Sequence, residues 1–482
     1  MKSNNSIYLK VILPILSIIT GLFSTPFTSY AVVDHNAEAE ARKELEIQSN
    51  LIEDWPLGPE IGAQGAILYE AETGAILYAK NIHEHLYPAS ITKVLTSYIA
   101  LQNSNLDDTV NISQGALDSI VWWEDANIGI KAGEAISMKD ALYAVMVNSA
   151  NEVAYAVAEH ISGDIPSFAK VMNNTAKELG CINSNFITPN GLHDENHYTT
   201  AYDMALIASA YFKEDLSQSL SSSVDYQIPK SATQSNDSMI LSSKNKLFKN
   251  RKYEYESLIG SKTGYTDSAR QTLVSCAKGN GMTLICVILK EETPMQYEDT
   301  INLFNYGFNN FNVVSVSDND KTYTADSTDF FDTISTDIGA SKSIIKFEEN
   351  AHIILPKTAT FEDTTSEISF EDDKSDSLAT VSYFYNDTLV GTSSLHTTYS
   401  NTTNDAYFTR DNSVSIEKKE PLYAVDPDKP VIVINVKHLI FFIIISIVLI
   451  TIIIAIIYII HSYSFSNKYL PKRNRRRKRR KF

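Results

Sequence analysis

The chain has 482 residues, and its 41 lysines and arginines against 58 aspartates and glutamates give a formal charge of −17 at pH 7. That length suits about two or three domains, and a hydrophobic fraction of 44% excludes a wholly disordered chain. Three cysteines are too few for a disulfide-rich scaffold or a zinc cluster, and the acidic balance argues against nucleic-acid binding.

The first 31 residues have the pattern of a secretory signal peptide. Lys2 and Lys10 precede a short apolar core at 11–23, and the small residues Ser29 and Ala31 suit cleavage after Ala31. An uncleaved N-terminal anchor is the alternative, and the shortness of the apolar core disfavours it. We therefore predict that the rest of the chain is exported.

A second apolar run, at 439–460, is long enough to cross a bilayer. At ~1.5 Å per residue its 22 residues reach ~33 Å, and none of them is charged. Ten lysines and arginines with no acidic residue follow between 468 and 481. Since cytoplasmic flanks carry excess positive charge, we predict a transmembrane helix at 437–461 and a basic cytoplasmic tail at 462–482. A nuclear signal or an RNA-binding arm is the alternative for the tail, and its position beside a membrane span disfavours both.

Two β-hairpins are predicted within residues 55–310, a region with the mixed patterns of an α/β domain. In the first, Glu72-Thr73-Gly74 forms the turn between apolar runs at 65–70 and 75–79. The second joins strands at 272–277 and 282–289.

Helices are predicted between these hairpins and before them. Apolar residues at helical spacing place them at 38–51, from Ser90 onward, and across 141–160 with a break at 148–150. The tandem Trp122-Trp123 is expected to pack in the loop region that precedes this break, where it is a candidate for lining a cleft.

The character of the chain changes at residue 311. Residues 311–400 are rich in Asp, Ser and Thr and contain short strand-like runs such as 352–355 and 379–385, which predicts a small all-β domain. The polar segment 401–436 is predicted to be a stalk.

The first motif that carries chemistry is Ser90-Ile91-Thr92-Lys93. Residues three apart share a helix face, so the hydroxyl of Ser90 should lie beside the amine of Lys93. A serine becomes a nucleophile when a neighbouring base takes its proton, and a lysine can be that base if burial or nearby positive charge lowers its pKa. By itself the spacing is weak, because an exposed polar helix face has the same pattern.

The second motif, Ser149-Ala150-Asn151, lies at the predicted helix break. Its hydroxyl can relay a proton to a leaving amine, and its amide can orient both a lysine and a substrate amide. The alternative is an N-cap of the following helix, a frequent use of Ser and Asn.

The third motif is Lys262-Thr263-Gly264, just before the second hairpin. On an edge strand, the lysine and threonine could bind a carboxylate, and the glycine would let a substrate backbone come close. A surface turn between strands is the alternative.

Taken in order within one exported α/β domain, the three motifs resemble the active-site set of the low-molecular-weight penicillin-binding proteins, the serine-type D-alanyl-D-alanine carboxypeptidases. The resemblance covers residues 55–310 strongly and 311–400 loosely. Flanking segments are similar to the same family, namely Tyr87-Pro88-Ala89, Asn190-Gly191-Leu192-His193-Asp194, the stretch 197–205, Gly264-Tyr265-Thr266-Asp267 and the stretch 281–285.

This resemblance implies a fold and an activity. The fold would be an α/β penicillin-binding (β-lactamase/transpeptidase-like) domain with an antiparallel sheet and a helical subdomain, followed by the small all-β domain and the transmembrane helix. The activity would be removal of the terminal D-alanine from peptidoglycan stem pentapeptides through an acyl-enzyme on Ser90. No metal or other cofactor is implied, and β-lactams, which resemble the D-Ala-D-Ala end, would acylate Ser90 and leave it slowly.

The resemblance also assigns roles to individual residues. The catalytic set would be Ser90, Lys93, Ser149 and Asn151. The backbone N–H groups of Ser90 and Tyr265 would hold the oxyanion. The substrate-binding set would be Lys262, Thr263, Gly264 and Tyr265.

The sequence departs from the family pattern at several positions. Glu152-Val153 follows the second motif where relatives usually have Asp-Ala. The segment 294–299 lacks an arginine that relatives often carry after the last strand, and Arg270 stands where many have glycine. Arg270 either compensates by helping to bind the substrate carboxylate or is a solvated arginine at a strand end.

Two other groups of residues have alternative interpretations. His193 and His197 have the spacing of a helical zinc site, but Asp194 stands where the catalytic glutamate belongs and Gly191 disfavours a helix. Cys276 and Cys286 either pair across the second hairpin or are two buried thiols, and the thiols are favoured.

The functional alternatives are an endopeptidase that acts on wall crosslinks and a catalytically retired, membrane-anchored protein that binds peptidoglycan. The intact set of Ser90, Lys93, Ser149, Asn151 and Lys262 favours an active enzyme.

Overall fold

The computed structural model describes residues 34–230, 238–322, 344–348, 350–370 and 379–398. The predicted signal peptide, stalk, transmembrane helix and basic tail therefore lie outside the described residues. Within the described ranges, no helix is both long and apolar enough to cross a membrane.

The helices of the described residues fall mostly between the first two strands and the last strands of one sheet. They are α1 (His35–Arg42), α2 (Lys93–Asn103), α3 (Gln114–Asp118), α4 (Met138–Val147), α5 (Asn151–Ser162), α6 (Ile165–Glu178), α7 (Ala201–Phe212), α8 (Ser217–Ser222), α9 (Met295–Asn310) and α10 (Val316–Asn319). Short 3₁₀ helices span Gln48–Leu51, Ala89–Thr92 and Phe361–Asp363.

The strands pair in antiparallel fashion throughout the described chain. They are β1 (Gly65–Glu70), β2 (Ile76–Lys80), β3 (Thr109–Asn111), β4 (Ala135–Ser137), β5 (Asp225–Ile228), β6 (Met239–Ser242), β7 (Leu258–Thr266), β8 (Arg270–Gly279), β9 (Met282–Glu291), β10 (Phe311–Ser315), β11 (Ile344–Phe347), β12 (His352–Pro356), β13 (Thr365–Phe370), β14 (Ala379–Tyr385) and β15 (Thr388–Thr398).

The main sheet has the order β2-β1-β9-β8-β7, which leaves β7 as an edge strand. Both predicted hairpins are confirmed, because β1 pairs with β2 and β8 pairs with β9. Gly281, with φ +79°, takes the left-handed conformation that the second turn requires. No other strand therefore pairs with the outer side of β7 within the described chain.

Each face of the sheet covers its own hydrophobic core. Val287 belongs to the core under α2 and α4–α7, and its neighbour Ile288 belongs to the core under α9, since successive strand residues point to opposite faces. The same alternation separates two cysteines. Cys276 lies opposite Ile285 and Cys286 lies opposite Ser275, so the thiols are on different faces, and both are free and buried.

The helical predictions are confirmed in one place and wrong in part in another. Helix α4 ends at Val147 and α5 begins at Asn151, which confirms the break at 148–150. The helix predicted at 38–51 stops at Arg42, whose Nε donates to the Gly62 carbonyl at 2.7 Å. The chain then turns so that the Ser49 hydroxyl accepts from the Ala79 N–H at 3.2 Å, a contact that a continuous helix would not allow.

The strands after residue 310 form two small sheets, β10-β12 and β11-β15-β14-β13. Their apolar side chains extend the core under α9. Trp55 packs against both small sheets. Its ring centroid lies 5.1 Å from that of Phe311 in β10 and 6.2 Å from that of Tyr385 in β14.

Candidate active site

Ser90 and Lys93 meet at the start of α2. Ser90 lies in the 3₁₀ helix Ala89–Thr92 and Lys93 is the first residue of α2, which places Lys93 Nζ 2.8 Å from Ser90 Oγ. The contact predicted from their spacing is therefore present. Gly191 packs directly beneath this turn, since a Cβ there would overlap the Ala89 carbonyl oxygen.

Lys93 is fully buried and has polar partners that carry no charge. Its Nζ lies 2.7 Å from both Asn151 Oδ1 and the Asn190 carbonyl oxygen. A neutral amine can donate to these two acceptors and still accept the Ser90 hydroxyl proton. Burial, and then the nearby charge of Lys262, lowers the pKa of Lys93 well below its usual range. The site therefore favours the neutral, basic form of this lysine.

Ser149 forms the turn between α4 and α5 with φ +61°, a left-handed conformation that costs a non-glycine residue ~1–3 kcal/mol. Hydrogen bonds on either side hold the turn, from the Ala150 N–H to the Ala144 carbonyl at 3.1 Å and from the Asn151 N–H to the Ala126 carbonyl at 2.9 Å. The N-cap alternative is wrong, because the cap residue of α5 is Ala150 and no side chain caps that end.

Lys262 joins the second and third motifs. Its Nζ donates to Ser149 Oγ at 3.0 Å and to the Thr263 carbonyl at 2.9 Å, and its side chain is buried. Burial lowers the pKa of Lys262 to about 7. The surface-turn alternative is wrong, because the motif lies within strand β7.

The structure gives Gly264 a role that the sequence did not predict. A Cβ at this position would overlap Thr272 Oγ1 and lie 2.8 Å from the Ser90 backbone nitrogen. The glycine therefore lets β7 approach the protein's own Ser90 segment, rather than a substrate alone. Thr272 adds a tie to the same segment by donating to the Pro88 carbonyl at 2.8 Å.

Thr263 and Tyr265 flank this glycine on β7. Thr263 lies opposite Leu273 in the ladder, so the alternation of the strand turns its side chain away from the face that bears Lys262 and Gly264. Tyr265 is 50% exposed, and its hydroxyl donates to Asp267 Oδ1 at 2.9 Å. Of the predicted residues, the side chains of Ser90, Lys93, Ser149, Asn151 and Lys262 come together, while those of Thr263 and Tyr265 do not join this group.

Arg270 is partly exposed and forms an ion pair, rather than being freely solvated. Its Nε and Nη2 donate to the two carboxylate oxygens of Glu292 at 2.8 and 2.7 Å, and Nη1 lies 3.5 Å from the Tyr265 hydroxyl. The guanidinium thus lies beside Tyr265, where the chain passes from β7 to β8. Its pairing with Glu292 leaves the carboxylate-binding alternative open.

Two other interpretations are wrong, namely that Trp122 and Trp123 are packed and that His193 and His197 could lie on one helix. Both tryptophans are exposed. Residues 191–197 contain no helix, so His193 and His197 do not share a helix face. Among the described residues, no three His, Cys, Asp or Glu side chains converge as a metal site.

His197 has a structural contact with the nucleophile segment that sequence reasoning missed. Its Nε2 lies 3.0 Å from Thr92 Oγ1, while Nδ1 accepts from the Ile187 N–H at 3.1 Å. Burial lowers the pKa of His197 to about 4, so the ring is neutral at physiological pH. Asn190 was missed as a partner of Lys93, because a backbone carbonyl leaves no trace in the side-chain pattern.

The described fold is that of the penicillin-binding proteins. The crystal structure of penicillin binding protein 5 from Haemophilus influenzae superposes with a TM-score of 0.56 and 25% identity, over 71% of this chain and 98% of that one. Penicillin binding protein 6B from Escherichia coli shares the fold with a TM-score of 0.53 at 22% identity, over 71% of this chain and 98% of the other.

Sequence comparison narrows this class to one family. The profile of the D-alanyl-D-alanine carboxypeptidases matches residues 53–293, half of the chain, so the chain belongs to that family. D-alanyl-D-alanine carboxypeptidase DacF of Bacillus subtilis is 34% identical over 48% of this chain and 59% of its own length. DacA of Haemophilus influenzae is 33% identical over 52% and 63%. The match thus spans about three-fifths of the length of these two relatives.

Proposed function

We propose that this protein is a serine carboxypeptidase that removes the terminal D-alanine from peptidoglycan stem peptides through an acyl-enzyme on Ser90. The observation that carries the proposal is the 2.8 Å contact between Ser90 Oγ and a fully buried Lys93. A base held neutral in this position can take the serine proton as the oxygen attacks, which contributes typically ~10²–10⁴ to a rate.

In the acylation step, Ser90 Oγ bonds to the carbonyl carbon between the two D-alanines and its proton passes to Lys93 Nζ. The carbonyl oxygen becomes an oxyanion, for which the N–H groups of Ser90 and Tyr265 are the proposed donors. Their closeness depends on the absence of a side chain at Gly264. Losing one such donor costs ~10²–10³ in rate in other serine enzymes, so this backbone geometry matters as much as the side chains.

Collapse of the intermediate breaks the C–N bond, and the departing amine needs a proton. Ser149 can donate its hydroxyl proton and recover one from Lys262, which lies 3.0 Å away. Asn151 keeps Lys93 in place through Oδ1, and its amide nitrogen is available to orient the substrate amide. Water then adds to the ester carbon and the C–O bond to Ser90 breaks. Ser90 Oγ takes back the proton held by Lys93, and the proton lost by the water replaces, through Ser149, the one that Lys262 gave. The shortened peptide then leaves.

The terminal carboxylate of the substrate is assigned to the region around Lys262 and the end of β7. Lys262 titrates near neutrality in the free protein, with its pKa at about 7, and a bound carboxylate would favour its protonated form. β-Lactams offer a carboxylate beside a strained amide, so we infer that they acylate Ser90 and are released slowly.

Two measurements on the purified extracytoplasmic part test the proposal. Fluorescent penicillin should label the protein covalently, and diacetyl-L-lysyl-D-alanyl-D-alanine should release D-alanine. Ser90→Ala is the matched control and should do neither. A folded protein that shows neither activity would contradict the proposal and favour a retired, binding-only role, whereas release from crosslinked dimers alone would favour the endopeptidase alternative.

We further infer that the protein is held at the cell membrane with its catalytic domain outside the cytoplasm. The support is sequence alone, namely the apolar run 439–460 with its basic flank and the signal-like N-terminus. Full-length protein should sediment with membranes, and a form ending at residue 436 should be released. Cytoplasmic location of the catalytic domain in a protease-protection assay would refute this topology.

A further inference from the structure

Residues 121–130, which we name the tryptophan loop, display two large aromatic side chains to solvent. Trp122 is 46% exposed and Trp123 is 82% exposed. Tryptophan is usually well buried, and adjacent exposed large apolar side chains commonly mark a contact surface. The Trp123 indole N–H donates to Glu124 Oε1 at 3.2 Å, so an acidic group stands beside the ring.

The tryptophan loop is fastened to the turn that carries Ser149. Three consecutive loop residues bond to that turn and to the residues beside it. The Ala126 carbonyl accepts from the Asn151 N–H at 2.9 Å, the Asn127 carbonyl accepts from Asn148 Nδ2 at 3.0 Å, and the Ile128 N–H donates to Glu152 Oε1 at 2.7 Å. Since Glu152 is completely buried, this attachment is part of the folded core rather than a chance surface contact.

The two tryptophans are held close to the same turn by bonds within the loop. Asn127 Nδ2 donates to the Trp122 and Asp125 carbonyls, both at 2.9 Å, and the Val121 N–H donates to Asp125 Oδ2 at 2.7 Å. Asp125 is also near enough for its charge to act on Lys93. The tryptophan loop therefore lies beside the Ser149 turn, at one side of the Ser90 site.

The negative charge of the tryptophan loop indicates that a ligand of this surface is positively charged. The segment contains Glu124 and Asp125 and neither lysine nor arginine. Indole faces attract cations, and carboxylates beside them add to the attraction, whereas an anionic membrane surface would be repelled. A neutral sugar ring would stack on the indoles without regard to charge.

We propose that Trp122, Trp123 and Glu124 form a subsite for a cationic side chain of the stem peptide, an alkylammonium group upstream of the bond that Ser90 attacks. The proposal rests on the proposed function of Ser90 and adds a preference within its substrate class. It assigns the two exposed tryptophans to substrate selection.

A matched pair of peptides tests the subsite. One is N-acetyl-L-lysyl-D-alanyl-D-alanine with a free side-chain amine, and the other is the same peptide with that amine acetylated. The native protein should have a KM about two- to tenfold lower for the free amine, the fold-change that a cation–π contact of ordinary strength gives. The preference should weaken as salt is added.

Trp122→Ala, Trp123→Ala and Glu124→Gln should each bring the two KM values closer together. Leu57→Ala is the control, because Leu57 is 78% exposed and lies near the core under α9 rather than near the tryptophan loop. Labelling by fluorescent penicillin reports whether each variant is folded. A preference that survives in all three variants would overturn the subsite, and so would an equal rise of both KM values, which would indicate a neutral ligand such as a sugar.

Two further measurements distinguish the subsite from the proposed catalytic activity and from a membrane contact. In the Ser90→Ala protein, tryptophan fluorescence should report tighter binding of the free-amine peptide without any turnover. If the native protein neither hydrolyses peptides nor reacts with penicillin, this binding preference still supports the subsite and its absence refutes it. Loss of binding to vesicles of anionic lipid in Trp123→Ala, with the peptide preference unchanged, would replace the subsite by a membrane contact.

Discussion

Two buried lysines on different sides of the sheet have opposite surroundings. Lys80, beside α9, donates to the carbonyls of Arg42 and Ile61 at 2.7 and 2.6 Å. Burial lowers its pKa to about 8, while the carboxylates of Asp299 and Glu291 act in the opposite direction. Lys80 therefore remains mostly protonated at pH 7 and serves as a structural cation.

Lys93, on the helical side, is equally buried but has a second lysine near it. Burial, and then the charge of Lys262, lower the pKa of Lys93 well below its usual range, and the carboxylates of Glu152 and Asp125 compensate only in part. Burial lowers the pKa of both lysines. The sign of the neighbouring charges adds to the difference between them, and only Lys93 has a serine hydroxyl within reach.

Replacing each lysine by methionine should separate the two roles most strongly. Lys93→Met removes the proposed base, so acylation by fluorescent penicillin should slow by ~10²–10⁴. Lys80→Met should keep the acylation rate per folded molecule but lose ~1–3 kcal/mol of unfolding free energy, because the buried carbonyls of Arg42 and Ile61 lose their donor. Stopped-flow acylation and urea unfolding measure the two effects.

The comparison fails if Lys93→Met still reacts at the native rate, or if Lys80→Met slows acylation in a protein whose unfolding midpoint has not moved. In the second case Lys80 would be coupled to the site rather than to the stability of the α9 side.

Gly264→Ala should have the next largest effect. The new methyl group would meet Thr272 and lie 2.8 Å from the Ser90 nitrogen, so β7 must move away from the nucleophile segment. A displacement of about 1 Å can cost ~10²-fold, and we expect acylation to slow by up to that factor. Gly115→Ala in α3 is the matched control, because a Cβ there would lie an ordinary 3.4 Å from its nearest neighbour, Ser113 Oγ. A normal acylation rate in Gly264→Ala would mean that β7 can accommodate the methyl group without displacing the Ser90 segment.

Local patterns in the sequence predicted part of this site. The contact of Ser90 with Lys93 follows from one helical turn, and the hairpin β8–β9 follows from its turn residues. In both cases the partners are neighbours in sequence, so periodicity and turn chemistry suffice.

Contacts across long stretches of chain were not predictable in the same way. The Asn190 carbonyl reaches Lys93 across 97 positions, and Lys80 reaches Arg42 across 38. Neither contact changes the local pattern of residue types. Resemblance to a known family supplied the link between Ser149 and Lys262, which spacing alone would not have given.

Asp299, a buried acidic residue of α9, should make the unfolding free energy depend on pH. Burial, and then the neighbouring Glu291 carboxylate, raise the pKa of Asp299 far above its usual value of 3.8. Between about pH 4 and pH 8 the folded protein keeps this proton while the unfolded chain releases it, so the unfolding free energy should fall as pH rises. Asp299→Asn removes the titration, and its melting temperature should vary less with pH over that range. An equal slope in both proteins would assign the effect to other groups.

The smallest predicted effect concerns Glu152, the carboxylate on the Lys93 side. Burial raises its pKa to about 7, and its ionised form raises the pKa of Lys93. Glu152→Gln keeps an acceptor for the Ile128 N–H and removes the charge, so Lys93 should lose its proton at lower pH. The acid limb of the acylation rate, measured from pH 5 to 9, should therefore shift downward by less than about one unit. Glu159→Gln on the same helix should leave the profile in place, and an upward shift in Glu152→Gln would show that this carboxylate helps to form the base rather than to restrain it.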